Sequence, residues 1–161
     1  MAPVHALRHR PCRPEPLPSR GFAYRLAGRY EEALADFNRA IELDADSGWA
    51  HYEKAVALYA AQDPACEVQF AHTVEVCTPA SSESTAEAAT DVAILFLVHC
   101  FVPDWGKAEG YLADFLSRSP APGQISELLV DIENLRILVP SVGEHLPLFR
   151  DRLQSALREP R

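Results

Sequence analysis

Apolar residues along this chain recur three and four apart, and no stretch keeps the strict alternation of a half-buried strand. Between Arg29 and Leu43, the residues Ala33, Phe37, Ala40 and Ile41 fall on one helical side. The segment before it, Ser19 to Ala27, reads as a short helix, and Gly28 breaks the chain between the two. A second pair is expected from Trp49 to Gln62, capped by Asp46 or Ser47, and over residues 66–77. CEVQFAHTVEVC, residues 66–77, superposes on ALADFNRAIELD, residues 33–44, and places Phe70 on Phe37. Thr78 to Ser84 is polar and reads as a loop. A helix over Thr85 to Val102 follows. Its core, VAILFLVHCFV, is apolar all round, so either its own chain or a second copy must cover it. Trp105 to Ser117 returns with Ala108, Leu112 and Phe115 inward. Residues 124–138 carry Ile125, Leu128, Leu129, Ile132 and Leu135 on one stripe, and Pro140 ends them. A last helix is expected from about Pro147, with Phe149, Leu153, Ala156 and Leu157 inward.

Gly21-x2-Tyr24 followed by Ala33-x3-Phe37-x2-Ala40 puts small residues where two helices cross and large ones between them. On these residues the stretch Gly21 to Ala45 resembles the tetratricopeptide repeat, a helix pair of about 34 residues. Arg20 stands where that pattern favours Leu, and Ala45 where Pro is common. The resemblance implies an all-α fold: an α-solenoid of about three tetratricopeptide-like helix pairs, with a divergent C-terminal helix pair serving as the polar end. This helical repeat domain is expected over residues 19–161. Residues 1–18 hold Pro at 3, 11, 14, 16 and 18 and are expected to be a disordered basic tail.

Charge divides the chain in the same place. Residues 1–30 carry six Arg and one Glu, whereas residues 31–161 carry 22 acidic and nine basic side chains. An acidic body is a poor wrapper of nucleic acid, because phosphates must be neutralised by Lys and Arg. The longest apolar run, Val92 to Val98, is far short of the roughly 20 residues of a membrane span. Cys12, Cys66, Cys77 and Cys100 form no C-x-x-C pair, and Cys66 and Cys100 read as small core residues. Reduced thiols in a cytoplasmic protein are expected. Thirteen Arg against two Lys, with much Ala and Pro, suggests a GC-rich bacterial genome, a bias of codons and not of function.

No catalytic motif is present. The six histidines lack H-E-x-x-H spacing, and no G-x-S-x-G or phosphate-binding glycine loop occurs. No cofactor and no metal are expected. Neighbouring acids such as Glu31-Glu32 point apart on a helix and read as solvated charge.

The tetratricopeptide resemblance implies instead a protein or peptide partner in a concave groove lined by the leading helices. Relatives that hold chaperone tails clamp a carboxylate with Lys, Asn and Arg there. The matching places here hold Pro18, Phe22, Glu53, Thr90 and Ile94, so that clamp is not expected. The candidate groove residues are Arg25, Trp49, Tyr52, Glu53, Val56 and Tyr59. Flat aromatics carry much of the energy at protein interfaces, and Glu53 would favour a basic segment on the partner. Packing on neighbouring helices would demand some of the same aromatics. Two rivals stand beside this interaction adaptor: a self-associating scaffold, and a regulatory subunit of a larger enzyme complex.

Overall fold

The computed structural model describes residues 17–81 and 86–158. Except for Leu17 and Pro18, the expected tail over 1–18 lies outside the described residues. Among the described residues eight α-helices follow one another: α1 (Leu17–Leu26), α2 (Tyr30–Leu43), α3 (Gly48–Ala60), α4 (Ala65–Ser81), α5 (Ala86–Phe101), α6 (Trp105–Ser117), α7 (Pro122–Leu138) and α8 (Leu146–Arg158). A 3-10 turn, Pro140–Glu144, joins the last two. Among the described residues there is no strand, and the fold is an all-α helical repeat.

Three antiparallel pairs, α1/α2, α3/α4 and α5/α6, stack in order, α3 on α2 and α5 on α4. The crossing of α1 and α2 depends on Gly21, where a Cβ would come within 2.8 Å of the Phe37 ring. Ala33, Phe37 and, from the next unit, Ala57 close this layer and are fully buried. Each of the first two pairs turns through a left-handed residue. Gly28 has φ 74°, and Gln62, the equivalent residue one unit later, has φ 58°. In both turns the next N–H closes back on the helix end: Arg29 N donates to Tyr24 O and Asp63 N to Leu58 O, which satisfies carbonyls that the helix leaves open. Ser47 caps α3 through its hydroxyl, which accepts from Ala50 N.

Several expectations are corrected by packing. The departure at Arg20 has a structural reason: its guanidinium donates twice to Asp36, at 2.7 and 2.5 Å, and ties α1 to α2 across the pair. The stretch read as a loop from Thr78 begins as helix, since α4 runs on to Ser81 and the Thr78 hydroxyl donates to Val74 O; residues 82–84 lie outside the described residues. Cys66 is only half-buried, while Cys77, together with Cys100, is in the core. The apolar helix α5 is covered by its own chain. Val92, Leu95, Phe96, Val98 and Cys100 belong to one continuous core with α3, α4, α6, α7 and α8.

The C-terminal pair leaves the repeat. α7 does not stack on α6 as α3 does on α2. α8 instead packs on α5 and α6: Phe149 meets Phe96 of α5 edge to face at 5.1 Å, and His145, just before α8, stacks on Trp105 of α6 at 4.1 Å. An ion pair of Arg150 with Glu133 joins α8 to α7. α7 packs along α5, on the side that the odd-numbered helices share.

Candidate protein-binding face

The odd-numbered helices α1, α3 and α5 touch one another in sequence along one side of the stack. The six candidate groove residues do not form a single open stripe there. Arg25, Tyr52 and Glu53 come together, and Tyr52, Glu53 and Val56 are buried. Trp49 is half-buried and turns toward the preceding unit, its ring edge-on to Phe37 at 6.1 Å. Tyr59 is half-buried and packs against Phe101 at 5.0 Å and Phe70 at 6.4 Å.

The charge of Glu53 is met within the chain. Arg25 Nε donates to Glu53 Oε2 at 3.0 Å. Burial pushes the Glu53 carboxyl up to about 6, Arg25 opposes that rise through its charge and hydrogen bond, and the Asp131 carboxylate of α7 adds to it. Burial also drives the Tyr52 phenol well above its ordinary value, with Glu53 and Asp131 adding. The Arg25–Glu53 pair is thus enclosed between α1 and α3, within reach of the Asp131 charge on α7, and a bare charge there is costly.

What remains open lies at the C-terminal end of α3. A cleft of about 460 Å³ runs between Tyr59, Gln62, Pro64 and Cys66 on one side and Ile137 and Leu138 of α7 on the other. Ile137 is 77% exposed. Gln62 holds a left-handed backbone that side chains other than glycine rarely adopt, and such strain concentrates at sites of function. Of the six candidates, Tyr59 lines this cleft.

His51, His99, Cys77 and Cys100 are packed in the interior. His51 Nε2 lies 2.9 Å from Ala45 O and its Nδ1 lies 3.1 Å from the Gln69 amide, which fits the Nε2–H tautomer. Burial lowers its basicity. His99 is buried and lies flat on Tyr111, and burial lowers its basicity too. Burial pushes the Cys77 thiol up, and the adjacent Asp91 carboxylate adds to that rise. Burial pushes the Cys100 thiol up to about 12. No group of His, Cys, Asp and Glu among the described residues could hold a metal ion.

Residues 21–62 match the family model of the TPR repeat. This segment is similar to a TPR repeat. The match spans the first helix pair and α3, the same residues that build the tight Gly21–Phe37 crossing and hold Arg25 against Glu53. TPR repeats generally mediate protein–protein interaction, and the family is generally non-catalytic. Beyond the TPR match, neither the curated proteins nor the solved structures give a match. No described helix is long and apolar enough to cross a membrane.

Sequence reasoning found the TPR unit and its aromatics but missed the cleft. Its wall is built by α7, whose place in the fold depends on a contact it fails to make with α6. Gln62 was the one legible signal, because it occupies the position that Gly28 holds one unit earlier.

Proposed function

We propose that the protein is an interaction adaptor without catalysis. It docks a peptide or helix of a partner protein on the side of the odd-numbered helices, at the cleft between Tyr59 and Ile137. The observation that carries this reading is the cleft itself: Tyr59 on one wall, a left-handed Gln62 beside it and an exposed Ile137 at its rim. Of the six groove candidates only Tyr59 lines this cleft; Arg25, Trp49, Tyr52, Glu53 and Val56 hold the repeats together beside it. The preference for a basic partner segment rests on the long-range field of residues 31–161, 22 acidic against nine basic, which steers a cationic segment inward. Three described thiols are free, which fits a reducing, cytoplasmic setting.

The test is affinity capture from the native cell with wild-type protein and with Ile137→Glu. The exposed substitution should leave the melting temperature unchanged within the effect of about 0.5 kcal/mol usual for surface changes. Partners that dock at the cleft should drop tenfold or more in recovery. Equal recovery with both proteins would move the docking surface elsewhere.

A further inference from the structure

α7 does more than end the stack. In a continuing repeat it would lie on α6, yet it packs on α8, on the 3-10 turn and on α5, and its C-terminal end faces α3 across the cleft. Ile125, Leu128, Ile132 and Leu135, spaced three, four and three apart, form its inner stripe and are all buried. The opposite positions Val130 and Ile137 are exposed. At the start of α7, Gln124 Nε2 donates to the Thr90 hydroxyl of α5 at 3.4 Å. At its end, Leu138 faces Tyr59 of α3 across the cleft. In between, Asp131 stands close enough to Tyr52 and Glu53 for its charge to act on both. An amphipathic helix of the chain itself therefore occupies the side of the odd-numbered helices where an incoming helix would lie, and the cleft is the part it leaves uncovered.

We propose that α7 is a built-in occupant of this face, and that the partner is itself an amphipathic helix with apolar residues at the same three-four-three spacing, exchanging with α7. This rests on the reading that the odd-numbered side is the docking surface. The recognition is that of a helix laid apolar side down in a groove. α7 is suited to exchange because it is tied at two irregular joints, Ser119 with φ 53° and the 3-10 turn at Pro140–Glu144, and is not stacked on α6.

The test uses the full chain with Leu128→Asp and Ile132→Asp, which makes the inner stripe of α7 polar. The probe is a fluorescent synthetic peptide with the sequence of residues 122–138, followed by anisotropy, and amide hydrogen exchange reports the state of each helix. The variant should keep protection in α3 and α5 and lose it in α7. It should bind the peptide at least tenfold more tightly than the wild type, whose face is already filled. Equal binding by both proteins, or no binding by a variant whose α3 and α5 stay protected, overturns the proposal. If the double variant unfolds, Ile132→Ala decides. Faster exchange in α7 alone supports the proposal, and an equal rise in α3, α5 and α7 overturns it by making α7 an inseparable layer of the core. No outside partner enters this experiment, so its failure is distinct from a failure of capture by Ile137→Glu.

Discussion

Arg25 of α1 donates to Glu53 of α3 at 3.0 Å, with side-chain exposures of only 10% and 6%. The two helices belong to consecutive repeats, so this pair fixes one repeat against the next along the inner side. Removing one partner of a buried ion pair strands the other charge and costs about 3–5 kcal/mol, whereas replacing both with apolar residues of similar volume is often neutral. Arg25→Met should therefore lower the unfolding free energy by about 3 kcal/mol at neutral pH. Arg25→Met with Glu53→Leu should recover most of that loss. Urea titrations of the three proteins check this. A double variant as unstable as Arg25→Met alone would mean that the pair acts through packing and not through charge.

The same carboxylate should make stability depend on pH. In the fold the Glu53 carboxyl is raised to about 6 from an ordinary value of 4.5, foremost by burial. The folded state therefore holds the proton more tightly than the unfolded chain. This contribution is fully present below about pH 4.5 and is lost as pH rises through about 6, an effect of about 2 kcal/mol. Glu53→Gln cannot titrate, so the stability of the wild type relative to this variant should fall by that amount between pH 4.5 and 7. His51 acts in the opposite sense. Its basicity is lowered, foremost by burial, with His72 and Lys54 adding and the Ala45 carbonyl and Asp44 opposing. Its contribution is present above the ordinary value of 6.5 and is lost as pH falls below it. Titrating His51→Gln beside Glu53→Gln separates the two. A flat difference between wild type and Glu53→Gln would show that the carboxylate is solvated.

How much of this was legible in the sequence depends on the range of the contact. Ala33, Phe37 and Ala40 announced a helix crossing because their spacing is local, and all three are buried. Arg20 and Asp36 are 16 residues apart, and Arg25 and Glu53 are 28 apart. No periodicity joins such residues, so Arg20 looked like a flaw in the repeat and Glu53 like a free charge for a ligand. α7 was legible as an amphipathic helix, and its stripe is buried as expected. Its position was not, because amphipathic patterning says which side is covered and not by what.

Ala33 offers a test of the repeat crossing. It is fully buried with Phe37 and Ala57, and Tyr24, Leu34 and Trp49 pack around it. Ala33→Leu should overpack this layer and cost about 1–3 kcal/mol. Glu32 pairs with Arg29 on the exposed side of the same helix, and Glu32→Gln should change stability by less than about 0.5 kcal/mol. Thermal melts of the two variants should differ clearly. Equal effects would place Ala33 on the wrong side of α2.

Gln62 links the turn to the cleft. A side chain in the left-handed region costs about 1–2 kcal/mol, and glycine relieves that strain, as Gly28 does in the preceding unit. Glycine also adds freedom to the unfolded chain, so Gln62→Gly should stabilise the fold by no more than about 1 kcal/mol. If the Gln62 side chain holds a docked partner, the same change should weaken capture while the melting temperature rises. A rise in stability with capture untouched would leave Gln62 as a turn residue only and shift the docking contacts toward Ile137.

Trp49 separates core from surface among the candidate aromatics. It is half-buried, edge-on to Phe37, and lies between the first and second repeats. Complete burial would make Trp→Ala cost about 3–5 kcal/mol. With only part of the ring covered, Trp49→Ala should cost about 2 kcal/mol and lower the melting temperature. Ile137→Glu, at the open rim, should leave it unchanged. Capture should respond in the reverse order once each protein is assayed well below its melting temperature: weakly for Trp49→Ala, strongly for Ile137→Glu. This ordering follows from placement, since Trp49 faces Phe37 of the preceding repeat and Ile137 faces solvent beside Tyr59. Should Trp49→Ala keep its stability and lose its partner, the indole itself would be the contact, and the docking surface would extend from the cleft to the first repeat.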